Sequence, residues 1–179
     1  HVGRDRILQA GCRAFQPEHH VAHLGASMPL VACPPFTRWG DPRAVANAAD
    51  AAIAPLLPGI ARAQSFLSDR ALPRPCGVGT PELGEPVFKV GRTTGLTRGV
   101  VDRVNVLYSV PYDHGDCWFE DLFSVVTSNG VDFAAGGDSG SAVLRSDGTV
   151  LGLVFAGAPM GTLCCDMASI LAALDCELL

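Results

Sequence analysis

The 179 residues carry 48% apolar and 17% charged side chains, with 13 Lys+Arg against 18 Asp+Glu and a net charge of −5. This balance excludes a disordered chain, a coiled coil and a charged tail, and no basic cluster invites nucleic acid. The uncharged stretch from Thr149 to Cys165 is interrupted by Gly152, Gly157, Pro159 and Gly161 and is too short to span a bilayer, so no membrane partner is expected.

In chain order, Val21 to Val31 reads as a strand that stops at Cys33-Pro34-Pro35. Asp41-Pro42 resembles an N-cap followed by proline, and the Ala-rich run predicts a helix over Arg43 to Ala49, with Pro55 and Pro58 closing the region. Residues 68–86 hold Pro73, Pro75, Gly77, Gly79, Pro81, Gly84 and Pro86 and form the linker candidate. Then the texture changes. Pro86–Val90, Gly99–Val110, Trp118–Thr127, Ser141–Leu144 and Val150–Phe155 are β-prone runs separated by turn clusters. Ser146-Asp147-Gly148 signals a hairpin. Met167 to Leu174 has helical spacing, with Ile170, Leu171 and Leu174 on one side. The second half therefore predicts an antiparallel β-barrel closed by a terminal helix. The seven cysteines form no C-x-x-C pair and no zinc-like spacing. The adjacent Cys164 and Cys165 read as small buried hydrophobes beside a strand. No metal or cofactor is called for.

Chemistry is concentrated in Gly136-Gly137-Asp138-Ser139-Gly140-Ser141, a turn before a strand. Glycine dihedrals expose the Ser139 hydroxyl. They also let the amides of Gly137 and Ser139 converge on one point, as an oxyanion hole requires. A serine nucleophile needs a base, usually a histidine oriented by a carboxylate. The pattern is not the G-x-S-x-G elbow of esterases, since Ser141 stands where the last glycine belongs.

Gly137-Asp138-Ser139-Gly140, preceded by Gly91-Arg92-Thr93-Thr94-Gly95, resembles the chymotrypsin-fold (trypsin-like) serine peptidases of bacterial type. Val87 to Thr97 is similar to the strand and turn that open their second barrel, Phe133 to Ser141 to their nucleophile loop, and Gly152 to Gly157 to the strand beside their specificity pocket. The resemblance covers about half the chain. It implies an all-β fold of two antiparallel six-stranded barrels with a short C-terminal helix. Residues 1–78 would be a remnant of the first barrel carrying the His and Asp, and residues 79–179 the second barrel carrying Ser139. It implies a serine endopeptidase acting on polypeptides through Ser-His-Asp and an acyl-enzyme.

The family's order of His, Asp and Ser puts the acid at Asp50 and the base at His1, which His19, His20, His23 and His114 fit less well. Strands that precede the catalytic histidine in the family have no counterpart here. A missing N-terminal segment or partner is therefore expected to complete the first barrel. A free α-amino group at His1 would also oppose imidazolium formation, so the chain as written is expected to be dormant and a longer parent active. Lys89 is expected to pair with Asp138, with Arg92 as the alternative. Phe133, Ala134, Phe155 and Gly157 are expected to form the primary pocket, and Phe133 offers no counter-charge to a basic side chain. Disulfide positions of secreted relatives hold Val2, Phe88 and Ala135, which points to a reducing, cytoplasmic setting such as that of intracellular trypsin-like peptidases. A pseudopeptidase that holds peptides without cutting them is the alternative reading.

Overall fold

The computed structural model describes residues 6–8, 20–60 and 72–178. The chain is mostly β, with one short C-terminal helix. The strands of the second half are β6 (Pro86–Gly91), β7 (Gly95–Tyr112), β8 (Gly115–Val126), β9 (Ala142–Leu144), β10 (Val150–Ala158) and β11 (Gly161–Asp166). They pair in the order β11-β10-β9-β6-β7-β8, and β11 pairs again with β8, so β6 to β11 close into an antiparallel ring. Closure removes the exposed edges that an open sheet would leave. The interior is filled by Val87, Val101, Phe123, Val125, Phe133, Val143, Leu151, Val154 and Cys164.

The β6–β7 hairpin pairs Gly91 with Gly95 across three loop residues, and Gly95 takes φ +63°. That is the positive-φ position three-residue hairpins reserve for glycine. Helix α1 (Met167–Leu174) starts where the Asp166 side chain accepts the Ser169 amide at 2.8 Å. It buries Met167 and Ile170 against β10 and β11. Leu171 and Leu174 pack partly buried beside them.

The described strands of the first half are short: β1 (Arg6–Leu8) with β2 (His20–His23), and β3 (Ala26–Ser27) with β5 (Ala52–Ile53). The strand expected over Val21–Val31 is thus broken into two pieces. The helix expected over Arg43 to Ala49 is absent, and β4 (Ala46–Asn47) lies there instead, parallel to β8 through Ala46–Trp118 and Asn47–Phe119. The cause is tertiary. Asp41 accepts the Arg43 amide at 2.9 Å in a tight turn rather than capping a helix. Buried Asn47 then accepts from the Val31 amide and donates to the carbonyls of Val31 and Trp118. Long-range bonds of this kind override alanine's helix propensity. Strand β11 was not foreseen; Cys164 and Cys165 lie within it, fully buried.

Candidate active site

The loop from Phe133 to Ser141 is held from two sides. On one side, Gly140 donates to Val154 O at 2.8 Å and Val154 donates to Ser141 O at 2.9 Å, clamping the loop onto β10. On the other, Asp138 turns inward with no solvent exposure and becomes the hub of the turn at residues 92–94. Its Oδ1 accepts the amides of Thr93 at 2.7 Å and Thr94 at 3.3 Å. Its Oδ2 accepts the Thr94 hydroxyl at 2.7 Å, the Ala135 amide at 3.1 Å and the Lys89 ammonium at 3.3 Å. Lys89 is equally buried and also donates to the Thr94 hydroxyl and to Gly95 O. Burial alone would push the Asp138 carboxyl up. The bonds from Thr94, Ala135, Thr93 and Lys89 outweigh it and hold the group well below the usual carboxylate range.

With Asp138 inside, Ser139 is left exposed at the tip. The amides of Asp138 and Ser141 are bonded to Ala135 O and Asp138 O. Gly137, at φ +100°, brings its backbone so close to Thr93 that a Cβ would stand 2.6 Å from the Thr93 hydroxyl.

Ser139 lies where two cavities meet. The first, of about 430 Å³, is lined by Asp50, Tyr112, Ser139, Leu153, Phe155 and Cys165 among others. It brings Asp50 and Ser139, from opposite halves of the chain, to one cleft. Asp50 is exposed there, and Tyr112 donates its hydroxyl to Asp50 Oδ2 at 2.7 Å. The Cys165 thiol is pushed up to about 12 by burial, partly offset by a hydrogen bond from the Asp50 amide. It is a packed hydrophobe rather than a competing nucleophile. The second cavity, of about 120 Å³, is lined by Ala134, Ala135, Gly136, Ser139, Val154, Phe155, Ala156, Gly157 and Thr162. Phe133 instead sits in the barrel core and lines a larger neighbouring cavity of about 660 Å³.

His1 and His19 fall outside the described residues. His20 and His23 lie in β2, opposite Leu8 and Arg6. His114 sits in the β7–β8 turn, its Nε2 3.8 Å from Cys117 Sγ. Arg92 lies in the loop that meets Asp138, but the ion pair is made by Lys89. The sequence reading gave no role to Thr93, Thr94 or Tyr112. Two hydroxyl residues between glycines at a hairpin tip were the available signal for the threonines, and nothing local marked Tyr112.

Solved structures similar to this one include bacterial serine proteases. A chymotrypsin of Cellulomonas bogoriensis aligns over 88% of this chain and 75% of its own, with a TM-score of 0.62 and 20% identity. The fold is chymotrypsin-like. The Nocardiopsis protease NAPase aligns over 74% of this chain and 69% of its own, with a TM-score of 0.56 and 22% identity. An alpha-lytic protease homolog, N4, aligns over 89% and 74%, with a TM-score of 0.55 and 22% identity. A family model described as the Nal1 C-terminal domain matches residues 79–167, the span of β6 to β11. No curated protein matches the sequence. Among the described residues, no helix is long and apolar enough to cross a membrane.

Proposed function

We propose that the protein is a serine endopeptidase in which Ser139 is the nucleophile, Asp50 the orienting acid and His1 the base. One observation carries this reading: Asp50 and the exposed Ser139 line the same cleft. In this reading residues 1–78 supply base and acid, and residues 79–179 supply the nucleophile. Ser139 Oγ attacks the substrate carbonyl as the imidazole takes its proton. The amides of Gly137 and Ser139 hold the oxyanion, and the imidazolium returns the proton to the leaving amine. Water then cleaves the acyl-enzyme by the same route. Asp138 takes no part in proton transfer. Its pair with Lys89 keeps the loop in shape.

Substrates are polypeptides, and the primary pocket takes a small or medium apolar side chain. A space of about 120 Å³ walled by Ala134, Phe155, Ala156 and Gly157 supports this, with Phe133 as the apolar mass behind it. The free thiols of Cys33, Cys76, Cys117, Cys164, Cys165 and Cys176 support a reducing, cytoplasmic location.

The test is labelling with a fluorophosphonate probe and mass spectrometry of the modified peptide. Ser139 should be the labelled residue and Ser139→Ala should abolish the signal. If neither the chain nor a version extended upstream is labelled, and the folded protein binds peptides uncut, it is a pseudopeptidase and the reading is wrong.

A further inference from the structure

We propose that Tyr112 is a positioning residue whose hydroxyl, 2.7 Å from Asp50 Oδ2, fixes the Asp50 carboxylate at the Ser139 cleft. The inference rests on the reading of Asp50 and Ser139 as members of one triad. Asp50 needs such a partner because of where it stands. It lies in an irregular stretch between β4 and β5, each two residues long, and its side chain is exposed. A carboxylate in that setting turns freely unless something holds it, and each lost degree of freedom has an entropic cost. Two contacts supply the restraint. The Met28 amide donates to Ala51 O at 2.9 Å, which fixes the main chain beside Asp50. The Tyr112 hydroxyl donates to Oδ2, which fixes the side chain.

Tyr112 is itself rigidly placed. It ends β7, paired with Gly115 across the hairpin. Its ring lies 6.2 Å from that of Phe119, and Phe119 lies 4.5 Å from Phe155, which lines both the cleft and the small pocket. An aromatic row thus runs from the pocket wall to the acid. The donor is also of the right kind. A neutral hydroxyl steadies a carboxylate without cancelling its charge, and it leaves Oδ1 for an imidazole. Burial first, then the bond to Asp50 and its charge, hold the phenol above its ordinary range, so it remains a donor through neutral and moderately alkaline pH.

The variant to make is Tyr112→Phe, which keeps the ring and deletes the hydroxyl. Two readouts are needed, on the full chain. The first is carbon-13 NMR titration of the Tyr112 phenol in the parent and in Asp50→Asn, which requires no activity; its pKa should fall once the carboxylate is lost. The second is the rate of fluorophosphonate labelling at Ser139 against pH, in Tyr112→Phe, Asp50→Asn and the double variant. Tyr112→Phe should slow labelling about tenfold, the scale of one hydrogen bond to a charged group. It should also move the midpoint of the pH profile down, because a less well-placed carboxylate stabilises imidazolium less. In the Asp50→Asn background the same change should do nothing further, since Tyr112 acts only through Asp50.

A Tyr112 titration identical in Asp50→Asn and the parent would overturn the proposal, as would equal slowing of labelling by Tyr112→Phe in both backgrounds. A Tyr112 titration shifted by Asp50→Asn, without any labelling of Ser139, would sink the peptidase reading while leaving the Tyr112 restraint standing. If Tyr112→Phe does not fold, phenol absorbance in Tyr108→Phe and in Tyr108→Phe/Asp50→Asn gives the same answer. Loss of the Asp50 charge must lower the Tyr112 pKa, and an unchanged value would refute the bond.

Discussion

Lys89 Nζ lies 3.3 Å from Asp138 Oδ2, and neither side chain has any solvent exposure. An ion pair so deeply buried fixes geometry more than it adds net stability, because both partners lose their hydration. What it fixes here is the direction of the next residue: with Asp138 anchored inward, Ser139 faces out.

Lys89→Ala should therefore be costly. It leaves the Asp138 charge buried without its counter-ion, and breaking such a pair typically loses about 3–5 kcal/mol. Urea unfolding measures the loss. Labelling of Ser139 should fall even in the fraction that stays folded. Parental stability together with full reactivity would show that the pair does not shape the loop.

Thr94→Val should make the protein acid-sensitive. The Asp138 carboxyl titrates below its unfolded value, so its stabilisation is complete above about pH 4 and is lost as the pH falls through the lower folded value. Removing the Thr94 hydroxyl raises the folded pKa toward the ordinary range. The acid-unfolding midpoint should move to higher pH, and stability at neutral pH should drop by about 1–3 kcal/mol. An unmoved acid midpoint would mean that the amides of residues 93, 94 and 135 and the Lys89 ammonium hold the carboxylate without the hydroxyl.

Gly91→Ala should act on the same hub by crowding. A Cβ there would overlap the Asp138 carboxylate, with Cγ at 2.5 Å and Lys89 Nζ at 3.0 Å. Overpacking of this kind typically costs about 1–3 kcal/mol. Reactivity at Ser139 should fall along with stability, which thermal unfolding and probe labelling follow in parallel.

Gly157→Val should separate specificity from folding. A Cβ at Gly157 meets no atom within 4 Å, so stability should change by no more than about 0.5 kcal/mol. The added side chain takes volume from a pocket of about 120 Å³. kcat/KM should fall most for substrates with a medium side chain before the scissile bond and least for those with alanine. The parent should prefer a small apolar residue there over arginine by roughly a hundredfold or more, given the penalty for an unpaired buried charge. A peptide panel reads both, and preferred cleavage after arginine would contradict the pocket assignment.

The sequence was most readable where structure is local. Alternation and turn residues marked the strands that became β6 to β10, and spacing marked the helix from Met167. It was least readable where distant contacts decide. The Ala-rich stretch around Ala46 reads as helix until Asn47 finds Val31 and Trp118. Strand β11 carries no alternation because Thr162 to Cys165 are buried on both faces. Ser139 announced itself through its glycines, and Lys89 and Asp138 through the resemblance they share in. Tyr112 has no such neighbourhood. Its role exists only because the hairpin brings it to Asp50, 62 positions away.

Strand β6 pairs with β7 only from Gly95 to Val100, whereas β8 accompanies β7 as far as Tyr112. The outer half of that hairpin continues beyond β6 as a two-stranded arm packed on Leu163, Cys165 and Ile170. Along the arm, Trp118 and Phe119 seat β4, Asp116 receives the Cys33 amide, and Tyr112 receives Asp50. Asp50 is therefore positioned by the second half of the molecule as well as by β3 and Met28, which bond to β5 and Ala51 beside it. Residues 46–50 and the arm thus form one geometric unit: a change in the length of the arm would carry Asp50 away from Ser139.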